Sequence, residues 1–111
     1  MERQNRITLS THDSIHVISL DNVLYCSCNN SYTTFHLQNQ ERIVVSKSLK
    51  SFENELKVSN FFRSHQSYLI NLKHVIKVDR TDAYCITLTD QTRIPTSVRK
   101  RKDLIQILNS S

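Results

Sequence analysis

The sequence contains no glycine and a single proline, Pro95. Without glycine there is no bare-backbone loop to cradle a nucleotide phosphate, and no tight nucleophile elbow of the hydrolase kind. Chain reversals fall instead to Asn, Asp and Ser, which tolerate left-handed geometry and turn positions well. Such residues cluster at positions 11–14, 28–31, 38–40, 80–82 and 89–91. Cysteine is scarce and odd in number (Cys26, Cys28, Cys85), which gives no disulfide framework. Cys26 and Cys28 share one face of an extended segment and point away from a mutual bridge. Reduced thiols in a reducing compartment are expected. The histidines His12, His16, His36, His65 and His74 never join cysteine at zinc-ligand spacing, so neither a metal nor a cofactor is expected. No apolar run approaches the roughly 20 residues that span a bilayer. Residues 1–6 lack the apolar core of a signal peptide. A soluble, cytoplasmic protein without a membrane partner is expected.

What is present fits one core. With 111 residues, 38% of them hydrophobic, the chain has the size of a single domain. Its net charge of +5 is unevenly placed. Residues 1–57 hold six basic and six acidic side chains, whereas residues 58–111 hold nine and four. The surplus ends in Arg99, Lys100, Arg101 and Lys102. A one-sided surplus suits a basic surface facing a polyanion, although a solubilising run near a C-terminus has the same composition.

Short segments rich in β-branched and aromatic residues lie between the turn clusters, at 7–10, 15–20, 23–27, 32–37, 42–46, 62–65, 68–72, 75–79, 83–88 and 92–96. Several alternate in polarity: Thr33, Phe35 and Leu37 share one face, and Tyr84, Ile86 and Leu88 another. This period of two predicts a mostly β, antiparallel fold of about ten short strands. Two stretches break the rhythm. Leu49, Phe52 and Leu56 recur at i, i+3 and i+7, which predicts a short mid-chain helix. Ser97 is placed to cap a C-terminal helix running to about Leu108, with Leu104, Ile105 and Leu108 inward.

Residues 61–72 pack two apolar runs around a polar Ser64-His65-Gln66-Ser67 centre. Such a pattern suits two strands joined by a turn, with His65 and Asn71 also able to satisfy backbone groups. Here the chain resembles the LytTR family, the DNA-binding output domains of many bacterial response regulators. Phe62-Arg63-Ser64-His65 with Tyr68, Ile70 and Asn71 resembles that family's central motif. Asp21-Asn22-Val23-Leu24-Tyr25, Asn30-Ser31-Tyr32-Thr33, Ser48-Leu49-Lys50 and Ile94-Pro95-Thr96-Ser97-Val98-Arg99 resemble further family segments in the same order. The likeness runs over residues 7–108 of a single domain spanning 1–111.

The resemblance implies an elongated antiparallel fold and sequence-specific reading of double-stranded DNA by loops entering successive major grooves. Carried onto this sequence, Asn30, Ser31, Gln66 and Arg99 would contact bases, Gln66 over the intervening minor groove. Asn29, Arg63, His65, Ser97, Lys100, Arg101 and Lys102 would contact the DNA backbone. Relatives carry a basic or imidazole side chain at the first-loop position, whereas Ser31 is short, which shifts reading toward Asn30. Arg pairs with guanine O6/N7, and Asn or Gln with adenine N6/N7. The family's habits further imply promoter direct repeats, a homodimer on DNA, and a receiver domain or sensor kinase partner if the chain is part of a response regulator. Arg63, Lys73, Lys77 and Arg93 are weaker phosphate candidates, since lysine and arginine on strands are usually just solvated. Two rivals remain: a protein-interaction or dimerisation module with a basic face, and a single-strand or RNA binder. The latter expects exposed aromatic platforms, whereas Phe61, Phe62 and Tyr68 sit within apolar patterns. An enzyme is not expected.

Overall fold

The computed structural model describes residues 5–110. Ten strands form three sheets in which every pairing is antiparallel. Strands β1 (Arg6–Ser10) and β2 (Ile15–Ser19) make a hairpin. The central sheet, ordered β5-β4-β3-β7-β6, comprises β3 (Val23–Asn29), β4 (Tyr32–Leu37), β5 (Arg42–Val45), β6 (Phe61–His65) and β7 (Tyr68–Asn71). The third sheet is β8 (Val75–Asp79), β9 (Cys85–Leu88) and β10 (Arg93–Ile94), with β9 in the middle. Helices α1 (Leu49–Glu55) and α2 (Arg101–Asn109) complete the fold, whose principal extents are 44 × 34 × 24 Å. Neither helix is long and apolar enough to cross a membrane.

The central sheet is buried on both faces. On one side Cys26, Phe35, Ile43, Val45 and Leu69 join Leu49, Phe52 and Leu56 of the α1 segment and Ile7, Leu9 and Ile18 of the first hairpin. On the other, Leu24, Phe62 and Ile70 join Ile86, Leu88, Ile94 and Leu104. Neighbours such as Phe61/Phe62 and Leu69/Ile70 therefore feed opposite cores, as alternating side chains on a doubly covered sheet must. The Cys26 thiol lies fully inside the first core, and burial pushes its pKa well up.

The predicted elements are present with several shifted bounds. The run at 83–88 begins as a strand only at Cys85, because Ala83 (φ 52) and Tyr84 (φ 56) adopt left-handed geometry. Each costs about 1–2 kcal/mol for a residue with a Cβ. Asp82 O accepting from Cys85 N–H (3.0 Å) and Tyr84 O accepting from the Thr96 hydroxyl (2.7 Å) hold the turn. The strand expected over 92–96 is reduced to Arg93–Ile94. Ser97 does not cap the last helix through its side chain; a 3-10 turn, Val98–Lys100, intervenes, and α2 starts at Arg101. Leu104 is buried, with Ile105 and Leu108 half-buried beside it.

Helix α1 is short, so its cap matters. Ser48 Oγ accepts from Ser51 N–H at 3.1 Å. Replacing Ser48 by alanine is expected to cost about 1 kcal/mol, seen as a lower denaturant midpoint at unchanged slope. An unmoved midpoint would show that packing of Leu49 and Phe52 alone fixes the helix.

Candidate nucleic-acid interface

Antiparallel pairing brings several connections to one end of the central sheet. The β3–β4 turn holds Asn30 and Ser31, the β6–β7 turn holds Gln66 and Ser67, and residues 46–48 lead from β5 into α1. Asn29 pairs with Tyr32 across the first turn, whose reversal uses Asn30 in the left-handed region (φ 57). Asn29, Asn30 and Ser31 are all exposed. Cys28 N–H donates to Ser67 O (3.1 Å), tying the second turn to β3. The two turn tips lie two strand spacings apart along this rim, roughly 10 Å. Beyond β6, Ser97 N–H donates to Ser64 O (2.9 Å) and the Ser64 hydroxyl donates to Pro95 O (3.2 Å). The segment leading to Arg99 is thereby fixed to the strand leading to Gln66.

Between them lies a cleft of about 360 Å³. It is lined by Arg63, His65, Gln66, Ser97, Arg99 and Lys100 together with Lys50, Glu53 and Asn54 of α1. Sequence reasoning missed the α1 wall. Lys50 was visible only as part of a helix-start motif, and helical phase cannot tell a solvated lysine from one lining a cleft.

The cations divide by their partners. Lys73 pairs with Asp21 (2.9 Å), Arg93 with Asp82, and Lys47 with Glu55 (3.2 Å). Arg63 pairs with Glu53 (2.7 Å) and also donates to two backbone carbonyls. Among the described residues, Arg99, Lys100, Arg101 and Lys102 have no carboxylate within 4.0 Å. Arg99 and Lys102 are exposed, whereas Lys100 lies 5.9 Å over the Phe62 ring and Arg101 5.1 Å over the Tyr84 ring. This run enters a helix N-terminus, where the macrodipole disfavours cations. Asp103 in the first turn of α2 supplies one compensating charge. A bound phosphate would reverse the balance for the rest, although the Lys100 and Arg101 N–H groups already donate to Ser97 O and Val98 O.

His65 is held in one tautomer. Ser67 N–H donates to its Nδ1 (3.1 Å), so the neutral ring carries its proton on Nε2 as a donor. Asn71 serves the interior: its buried amide donates to Leu20 O (3.1 Å) and Val23 O (2.9 Å) and accepts from Lys73 N–H (3.0 Å). Among the described residues no group of three His, Cys, Asp or Glu side chains is placed to hold a metal ion.

The model of the LytTr DNA-binding domain matches residues 13–109. The chain belongs to the LytTR family. This is a family of DNA-binding domains rather than of enzymes. The LytTR domain is 28% identical over 104 residues to the sensory transduction protein LytR of Staphylococcus saprophyticus, covering 92% of this chain and 41% of that protein. It is 29% identical over 93 residues to the transcriptional regulatory protein LytR of Staphylococcus aureus, covering 82% and 37%. With the sensory transduction protein LytT of Bacillus subtilis it shares 23% over 108 residues, covering 96% and 44%. The chain thus spans about two fifths of the length of these curated relatives. Its fold matches that of a LytTr DNA-binding domain of a Bacillus cereus methyl-accepting/DNA response regulator. The TM-score is 0.80 at 21% identity, over 96% of this chain and 98% of that one.

Proposed function

We propose that this LytTR domain binds double-stranded promoter DNA sequence-specifically through the rim of its central sheet. Asn30 and Ser31 enter one major groove and Arg99 the next, while Gln66 meets the minor groove between them. Asn29, His65, Ser97, Lys100, Arg101 and Lys102 grip the backbone, with His65 Nε2–H as a fixed donor to a phosphate oxygen. Lys50 adds a further phosphate contact from α1. The observation that carries this reading is the basic run Arg99–Lys102, without a carboxylate partner among the described residues and beside the Gln66 turn, in a family of DNA-binding domains. The matched relatives are more than twice as long and are named for sensory transduction or transcriptional regulation. That supports a role as the cytoplasmic output domain of a two-component regulator, partnered by a receiver domain or sensor kinase and acting as a homodimer on direct repeats.

Salt dependence tests the electrostatic half. With about four to six phosphate contacts, log K against log[salt] should fall with a slope near −4 to −5, at roughly −0.9 per contact. Lys102→Ala should weaken all sequences alike and make that slope shallower by about one unit. A slope near zero, or no retardation of random duplex at low salt, would favour an interaction module with a basic face instead.

A further inference from the structure

The turn that presents Gln66 is built against preference. Two residues, Gln66 and Ser67, join β6 to β7, and neither has positive φ. Two-residue hairpins favour primed turns, which place positive φ at their first position and match strand twist. The strand leading in is irregular as well. Phe62 faces Ile70 and His65 faces Tyr68, so β6 carries one residue more than β7 over this stretch. Such a bulge bends a strand and re-aims its side chains.

Arg63, on the bulge, supplies the compensation. Its Nε donates to His65 O (3.0 Å), Nη2 to Gln66 O (2.6 Å) and Nη1 to Glu53 Oε1 (2.7 Å). Ser67 N–H is held by His65 Nδ1 and Ser67 O by Cys28 N–H. These backbone groups are engaged, while the exposed Gln66 side chain makes no hydrogen bond among the described residues. The result is a fixed turn with one free reading group.

We infer that Arg63 is a positioning residue for base reading by Gln66, anchored by Glu53 of α1, and not itself a phosphate ligand. This rests on the DNA-binding reading above. Three of the five guanidinium N–H groups, one on each nitrogen, already have acceptors, and the side chain is only 18% exposed. The Glu53 carboxylate neutralises the charge a phosphate would seek. A lysine keeps the charge but cannot span three acceptors in one plane.

The test combines base-preference selection with salt titration on the whole chain, each variant used below its own melting transition. Arg63→Lys should lower the A·T-versus-G·C preference at the Gln66 position about two- to tenfold, the worth of one neutral hydrogen bond. Preferences at the major-groove positions should not move. Glu53→Ala should act at the same position by less, and it carries the test if Arg63→Lys fails to fold. Adding Arg63→Lys to Gln66→Ala should change nothing further, as coupled residues require. Arg63→Gln should keep the wild-type salt slope. A slope shallower by about 0.9 with uniform weakening, or unchanged preference in both Arg63→Lys and Glu53→Ala, overturns the inference while leaving the DNA-binding reading intact. A wild-type chain that prefers no sequence overturns that reading itself.

Discussion

Replacing Arg99 by alanine is expected to weaken the best DNA site by about 1–3 kcal/mol, the cost of one bidentate guanine contact. In Kd this is roughly 5- to 150-fold. Arg99 is exposed and without a carboxylate partner among the described residues, so truncation should leave Tm unmoved. It stands on a turn whose backbone is pinned by Ser97 N–H on Ser64 O, and that rigidity is what allows a planar fork to select one base. Arg99→Lys should restore binding to random duplex but recover only part of the selectivity, because an ammonium is a point charge. Comparing Kd on the best site and on random duplex checks both variants. An equal loss on the two by Arg99→Ala would make Arg99 a backbone grip and remove it from base reading.

The largest stability effect is expected at Asn71. Its amide ties Leu20 O and Val23 O, at the entry to β3, to the end of β7, and its carbonyl holds the Leu72–His74 turn through Lys73 N–H. Asn71 itself is only 3% exposed. Asn71→Leu keeps the branched shape but takes a donor from Val23 O and an acceptor from Lys73 N–H, at about 1–3 kcal/mol for each group left dry and unpaired. Leu20 O loses the amide but retains Val23 N–H. A total near 3–5 kcal/mol, lowering Tm on the order of 10–20 °C, is expected. Calorimetry decides it. A drop of only a degree or two would mean that the freed groups reach water and that Asn71 is no clamp.

These residues show what could be read in advance. Leu49, Phe52 and Leu56 announced α1 because a helix with one buried face must repeat near 3.6 residues. Thr33, Phe35 and Leu37 announced β4 in the same way at a period of two. Phe61/Phe62 and Leu69/Ile70 showed no alternation, since a strand buried on both faces has no polar side to alternate with. The strands at 62–65 and 68–72 were read from aromatic and β-branched content alone. Ala83 and Tyr84 were read as strand because neither is a turn residue by type; the left-handed geometry is imposed from afar by Thr96 and the Arg101 guanidinium over the Tyr84 ring. In the candidate interface, the residue types at Asn30, Gln66 and Arg99 suited base reading, but only the family resemblance gave them roles. The cleft wall of α1 and the Arg63–Glu53 pair depend on packing between elements ten residues apart in sequence, which no local pattern encodes.

The central claim is that two separate loops of one rim read two separate base positions. Base-preference selection on the wild-type chain, Asn30→Ala and Arg99→Ala, each first confirmed to melt as wild type does, tests it most directly. The account predicts that each variant flattens one position, and that the two positions lie about one helical turn, roughly 10 base pairs, apart. Gln66→Ala should soften only the A·T-versus-G·C choice between them, since the minor groove distinguishes little else. If Asn30→Ala and Arg99→Ala flatten the same position, or weaken every sequence equally, the two-loop account is contradicted.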